Sequence, residues 1–364
     1  MIYSPILELD EKVNLLPAAE REKFRRIYEI TPAVGELRIP ESMQSWVEQQ
    51  FGSLKAVTRQ KIVRITNKLT GEETLFSKLR GSRPLDTVAV NVRLAYASAK
   101  DLFGDPYENT PEDEFGRVVG RHCVTASNVA KFDAFHGLVI FNDFSPLDFT
   151  REKIDDYIDV ALEWARKARE VRPEARYFAL IWNSLWRAGA SIGHGHAHVV
   201  LAGGRHYARI DRLRQTAVSY RQGYGDSYFK DLFQAHRAAG CAVQKGEVSI
   251  LAHLTPFKDR EVILMSDELT PSFKGVIYEV LACFRDRLGV TSFNLSLVTP
   301  PLAETEEDWK DFPVMVRLLD RGDPGQRPSD VGGMEIYASS VVSSDPVELA
   351  GELRKCLGEE EDHG

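Results

Sequence analysis

The sequence predicts an α+β protein built from two tandem halves, the first complete and the second degenerate. Three observations point to this. The 364 residues suffice for two domain-sized units. A strand–helix–strand–strand pattern fills residues 137–201. A weaker echo starts at Glu261 and lacks the first pattern's histidines.

The elements follow in order. Residues 1–60 read as a polar, helical N-terminal extension broken at Pro40. Residues 61–100 read as strands around a turn at Leu69-Thr70-Gly71-Glu72. Residues 101–117, rich in Pro, Asp and Glu, are expected to form a mobile loop. The first half is assigned to 61–210. In it, Gly137–Phe141 is a buried strand, and Thr150 caps a helix with apolar Ile154, Tyr157, Ile158, Ala161, Leu162 and Ala165. Tyr177–Trp182 and His196–Leu201 are the next two strands, closed by Gly203-Gly204.

The second half is assigned to 211–355. Glu261–Met265 echoes the first strand, and a helix is expected from Ser272 to Leu288. Ser292–Leu297 echoes Phe178–Leu185, with Asn294 in the place of Asn183. Val298-Thr299-Pro300-Pro301 stands where chemistry would be. Residues 356–364 form an acidic tail, read as a solvated charge run.

Hydrophobic residues make up 43% and charged residues 27%, as in ordinary globular chains. A net charge of −8 argues against a bulk nucleic-acid binder, which needs clustered excess cations. A small phosphorylated substrate needs only a few local ones. Cys123, Cys241, Cys283 and Cys356 form no C-x-x-C pair, so neither a disulfide framework nor a cysteine zinc knuckle is expected. No leader pattern and no membrane-length apolar run is visible, so the expectation is a cytoplasmic protein without membrane partners.

His194, His196 and His198 alternate in Gly193-His194-Gly195-His196-Ala197-His198. On a strand, alternate side chains share a face, so three imidazoles would line one wall. Spacing alone leaves three readings open: nucleotidyl transfer, a metal site and a structural cluster. The flanks favour the first. Asn183, Ser191, Gly189, Gly193 and Gly195 supply donors and close backbone approach suited to an anhydride phosphate.

Asn183…Gly189-x-Ser191-x-x-His194-x-His196 resembles the active-site signature of the galactose-1-phosphate uridylyltransferase branch of the histidine-triad superfamily. That branch includes diadenosine tetraphosphate phosphorylases and ADP-glucose phosphorylases. Asn67-x-Leu69-Thr70-Gly71…Ser77-x-x-Arg80-x-x-Arg83-Pro84 resembles its N-terminal signature. Asn128…His136-Gly137-Leu138-Val139-Ile140 resembles its first strand pair. Gly333-Met334-Glu335-Ile336-Tyr337…Pro346-x-Glu348-x-Ala350-x-x-Leu353-Arg354 resembles the C-terminal end of the uridylyltransferases.

The resemblance implies a histidine-triad-like (HIT-like) fold of two tandem halves, each an antiparallel sheet with packed helices. It implies that His196 is a covalent nucleophile, assisted by His194, His198 and Ser191. Arg80, Arg83, Asn128, His136 and Asn183 would bind nucleotide and phosphate, and Glu335 is the acceptor-site candidate. The donor would be a nucleotide-sugar or dinucleoside polyphosphate, and the acceptor a phosphate or sugar phosphate. The relatives are commonly homodimers.

Two departures matter. The family usually reads H-x-H-x-Q, whereas His198 gives the H-x-H-x-H of triad hydrolases, so water enters as an alternative acceptor. Many uridylyltransferases hold zinc with a C-x-x-C pair and the first triad histidine. That pair is missing, so no essential metal or cofactor is expected.

Overall fold

The computed structural model describes residues 4–84, 101–325 and 332–358. Residues 85–100 and most of the acidic tail therefore lie outside the described residues. Among the described residues, thirteen strands form two sheets. In chain order they are β1 (Tyr28–Glu36), β2 (Arg59–Asn67), β3 (Glu73–Phe76), β4 (Cys123–Ser127), β5 (Phe135–Phe141), β6 (Tyr177–Asn183) and β7 (His196–Ala202). Then come β8 (Ala242–Lys245), β9 (Val248–Ala252), β10 (Val262–Ser266), β11 (Phe293–Val298), β12 (Val314–Asp320) and β13 (Ser339–Val342).

The large sheet is antiparallel throughout, in the order β4-β5-β7-β6-β11-β12-β10-β9-β8. Its order is nearly a palindrome about the β6–β11 seam. On one side β5 is followed by a helix, β6 and β7. On the other, β10 is followed by a helix, β11 and β12. The expected two tandem halves are thus fused into one continuous sheet.

Local sequence explains the pieces. Thr150 accepts a hydrogen bond from the Lys153 amide and caps the helix Arg151–Val171. That helix buries Ile154, Tyr157, Ile158, Ala161, Trp164, Ala165 and Ala168 at helical spacing. It packs on the second half's helix, Pro271–Ala282, where Lys274 reaches Asp159 at 2.8 Å. β4 and β5 are buried along their whole length, and β5 is apolar at all but His136. Among the described residues, no helix is long and apolar enough to cross a membrane.

Three expectations are corrected. The N-terminal segment is not wholly helical, because Tyr28–Glu36 pairs along β2. Its Pro32 is tolerated because β1 is an edge strand, and Tyr28 is buried there. Tertiary pairing overrides the local preference. The acidic segment after Asp101 is anchored to the core. Asp113 accepts from the Trp164 indole at 2.7 Å and from Ser127 at 2.6 Å. Finally, Cys283 and Cys356 form a disulfide with Cα atoms 5.9 Å apart. Their separation of 73 residues hid the pairing, and Cys356 belongs to the helix Pro346–Leu357 rather than to a tail.

The small sheet runs β1-β2-β3-β13, with β13 parallel to β3. It docks on the second half through buried polar links. Thr74 donates to the Pro256 carbonyl at 2.8 Å, and Ser340 to that of Phe257 at 2.8 Å. Beside them lies a buried ion network. Arg317 donates to Glu261 at 2.7 Å and to Glu72 at 3.2 Å, and Arg209 also binds Glu72. Burial opposes the Glu72 charge, but Arg317 and its neighbours hold its carboxyl well below the usual range.

Candidate active site

β7 begins at His196 and lies between β5 and β6. His196 stands opposite Ile140, and His198 opposite Leu138 and Ile181. The two rings are neighbours on one face, with centroids 5.4 Å apart. His194 precedes the strand, so it joins them from the incoming turn rather than from the same wall. Gly195 makes that turn possible. A Cβ there would lie 2.7 Å from the Phe141 ring and 3.2 Å from the Asp143 carbonyl oxygen.

His196 is buried, and its Nδ1 lies 2.8 Å from the His194 carbonyl oxygen. A carbonyl only accepts, so Nδ1 carries the proton and Nε2 keeps its lone pair. Burial pushes the pKa of His196 below the ordinary histidine value, outweighing the opposing carbonyl bond. The ring is held neutral in the tautomer a nucleophile requires.

His198 and His136 form a second unit, Nδ1 to Nε2 at 2.9 Å. The Ala130 amide donates to Asn128 Oδ1 at 2.9 Å, which turns the Asn128 amide nitrogen towards His136 Nε2 at 3.1 Å. His136 Nδ1 in turn faces the Phe132 amide at 3.4 Å, so both of its ring nitrogens face donor groups. Burial pushes both rings down to about 4.

Asn183 ends β6, and its Oδ1 accepts from Asn294 at 2.7 Å. Asn294 pairs directly with Asn183 across the seam. It lies at the start of β11, not at the end, so it is a cross-strand partner rather than a copy of Asn183. Asn294 also donates to the Ala188 carbonyl at 2.8 Å and accepts from Arg321 at 2.7 Å. Just past Asn183, Leu185 has φ +66° and ψ 171°, a strained conformation for a residue with a side chain.

A cleft of about 1170 Å³ lies on the second half's side of the seam. Arg80, Arg83, Arg187, Lys258, Arg260, Arg321 and Glu335 all line it. The structure thus brings Arg80, Arg83 and Glu335 together, with both arginines exposed. Glu335 is half-buried and paired with Lys258. No triad histidine lines this cleft. The hydrogen-bonded chain Asn183–Asn294–Arg321 connects the two regions. Ser191 is exposed on the turn before His194.

Sequence reasoning missed Asp101, Phe103 and Arg321. Asp101 carboxylate oxygens lie 2.9 and 3.1 Å from His194 Nδ1, and the Phe141 carbonyl lies 2.8 Å from His194 Nε2. A lone aspartate 93 residues before its histidine carries no local signal. The same contacts bear on zinc. Both His194 nitrogens already have protein partners, and no group of three ligating side chains converges among the described residues. These residues do not fit a zinc site.

No protein-family model matches the chain, and no curated protein matches it in sequence. In structure it is similar to an ADP-glucose phosphorylase from Arabidopsis thaliana with bound ADP-glucose. The TM-score is 0.61 at 15% identity, covering 79% of this chain and 96% of that one. It is also similar to a GalT-like protein from Arabidopsis thaliana, with TM-score 0.59, 14% identity and coverages of 80% and 97%. A third likeness is to a uridylyltransferase, with TM-score 0.54, 14% identity and coverages of 81% and 98%. The chain therefore has the HIT-like fold of this branch, as the motifs implied.

Proposed function

We propose that this protein is a nucleotidyltransferase or phosphorylase working through a covalent nucleotidyl-His196. The donor is a nucleotide-sugar or dinucleoside polyphosphate, and the acceptor is a phosphate or sugar phosphate. The observation that carries this reading is the hydrogen bond from His196 Nδ1 to the His194 carbonyl, which leaves Nε2 as the nucleophile. Nε2 attacks the α-phosphorus in line, a P–N bond forms, and the P–O bond to the leaving group breaks. An acceptor phosphate oxygen then attacks the same phosphorus, the P–N bond breaks, and Nε2 regains its lone pair. Ping-pong kinetics follow.

The cations fit the charges. Arg80, Arg83 and Arg321 offer forked donors to phosphate oxygens, and Asn183 and Ser191 offer lesser ones. Asn128 and His136 act on the site through His198. Glu335, seated on Lys258, remains the candidate for holding an acceptor sugar. The scheme needs no metal. The similarity to an ADP-glucose phosphorylase and a uridylyltransferase supports the general kind of reaction.

A second reading is hydrolysis. The H-x-H-x-H pattern that His198 completes, as in the triad hydrolases, favours it. Intact-mass spectrometry after exposure to nucleotide-sugars and dinucleoside polyphosphates tests the shared step. We expect an added nucleoside monophosphate in the wild type and none in His196→Ala. An adduct retained by His196→Ala, or full turnover in that variant, overturns the reading. Chasing the adduct with and without inorganic phosphate decides between transfer and hydrolysis.

A further inference from the structure

Beneath the triad runs a short strap, Asp101-Leu102-Phe103-Gly104, that none of the sequence motifs includes. Both ends of the nucleophile's support rest on it. The Asp101 carboxylate accepts from His194 Nδ1 at 2.9 Å. One of its oxygens also accepts from the Phe103 amide at 3.1 Å, which fixes the carboxylate relative to the strap. Phe103 is buried against Ala126, Leu138 and Ile140. Its ring meets His196 edge-on, with centroids 5.1 Å apart at 73°, and His194 at 6.2 Å. Phe144 also meets His194 edge-on, at 5.6 Å.

His194 thus has no free degree of freedom. Asp101 takes one nitrogen, the Phe141 carbonyl takes the other, and two aromatic edges flank the ring. The carbonyl of this same residue sets the His196 tautomer. A carboxylate acceptor makes a stronger hydrogen bond than a neutral one, so the Asp101 contact dominates the clamp.

We propose that Asp101 is a positioning residue for nucleotidyl transfer. By holding the His194 ring it holds the carbonyl on which His196 depends, and it does with a carboxylate what the resemblance assigns to zinc at this histidine. The proposal rests on the function proposed above. Gly104 belongs to the same device. A Cβ there would lie 2.8 Å from the Asp101 carboxylate oxygen, so any larger residue pushes that oxygen off its histidine.

The test uses the full chain in four forms: wild type, Asp101→Asn, Gly104→Ala and the double variant. The hydrogen-bonded imidazole N–H proton of His194 is followed by NMR with ¹⁵N-labelled histidine. Adduct formation is followed with the nucleotide-sugar or dinucleoside polyphosphate that labels His196 in the wild type. We expect both single variants to lose that downfield proton. The rate of adduct formation should fall at least about tenfold, with KM changed less than about threefold. The double variant should be no slower than the slower single one, because both remove one interaction.

Asp101→Asn with the wild-type resonance and rate overturns the proposal. So do losses that multiply in the double variant, or a loss confined to KM. Absence of any adduct in the wild type would instead remove the nucleotidyl reading. The His194 resonance would then still decide whether Asp101 holds that ring.

Discussion

Asn183 and Asn294 face each other across the seam of the large sheet, bonded side chain to side chain at 2.7 Å. One belongs to the half with the histidines and the other to the half without them. Asn294 continues to Arg321 on the wall of the cationic cleft. The second half therefore supplies the side chain that orients Asn183.

Asn294→Ala removes three hydrogen bonds at once, to Asn183, Ala188 and Arg321. We expect kcat/KM to fall about tenfold and stability to fall by about 1–3 kcal/mol. Steady-state kinetics and urea denaturation check both. An unchanged kcat/KM would show that the seam does not serve the site.

Burial lowers the pKa of His196, so the ring stays neutral as pH drops through the ordinary histidine range. The single-turnover rate of adduct formation should stay level from about pH 8 down to about pH 6.5 and fall only below that. An acid limb centred at or above the ordinary value would contradict this assignment.

Gly195→Ala places a methyl group against Phe141, the Asp143 carbonyl and Pro146. Two of these contacts are backbone atoms, so the Gly195 backbone must move, and the His194 carbonyl moves with it. We expect a loss of about a hundredfold in adduct formation and about 1–3 kcal/mol in stability. The same mass measurement and a thermal melt read the two effects.

Arg317→Met should destabilise the fold by about 3–5 kcal/mol, because it leaves the buried Glu261 and Glu72 without their shared cation. Arg166→Ala, which removes exposed ion pairs with Glu163 and Glu170, should leave stability nearly unchanged. Equal losses in the two variants would mean that the buried network adds nothing special.

The first half was legible because its signals are local. Thr150 capping, the helical stripe from Ile154 to Ala168 and alternation along β7 are all read within a few residues. The histidines themselves were plain in the sequence. What supports them was not. Asp101 meets His194 across 93 residues, Arg321 meets Asn294 across 27, and Cys283 meets Cys356 across 73. Such partners are chosen by the folded sheet, and no local period marks them. β1 was missed for the same reason, since its neighbour β2 decides its conformation.

The parallel pairing of β13 with β3 joins Ser339 to Glu73 across 266 residues. The β13 segment and the helix after it also wall the cationic cleft, together with Arg80 and Arg83. A contact so distant in sequence forms late, because the intervening chain must first be brought to order. On the ribosome, the histidine half can emerge and pair its strands while the β13 side of the cleft is still unsynthesised. A nascent or truncated chain would thus carry the histidine cluster with the cleft still open on one side, and that side would be completed only with the last tenth of the molecule.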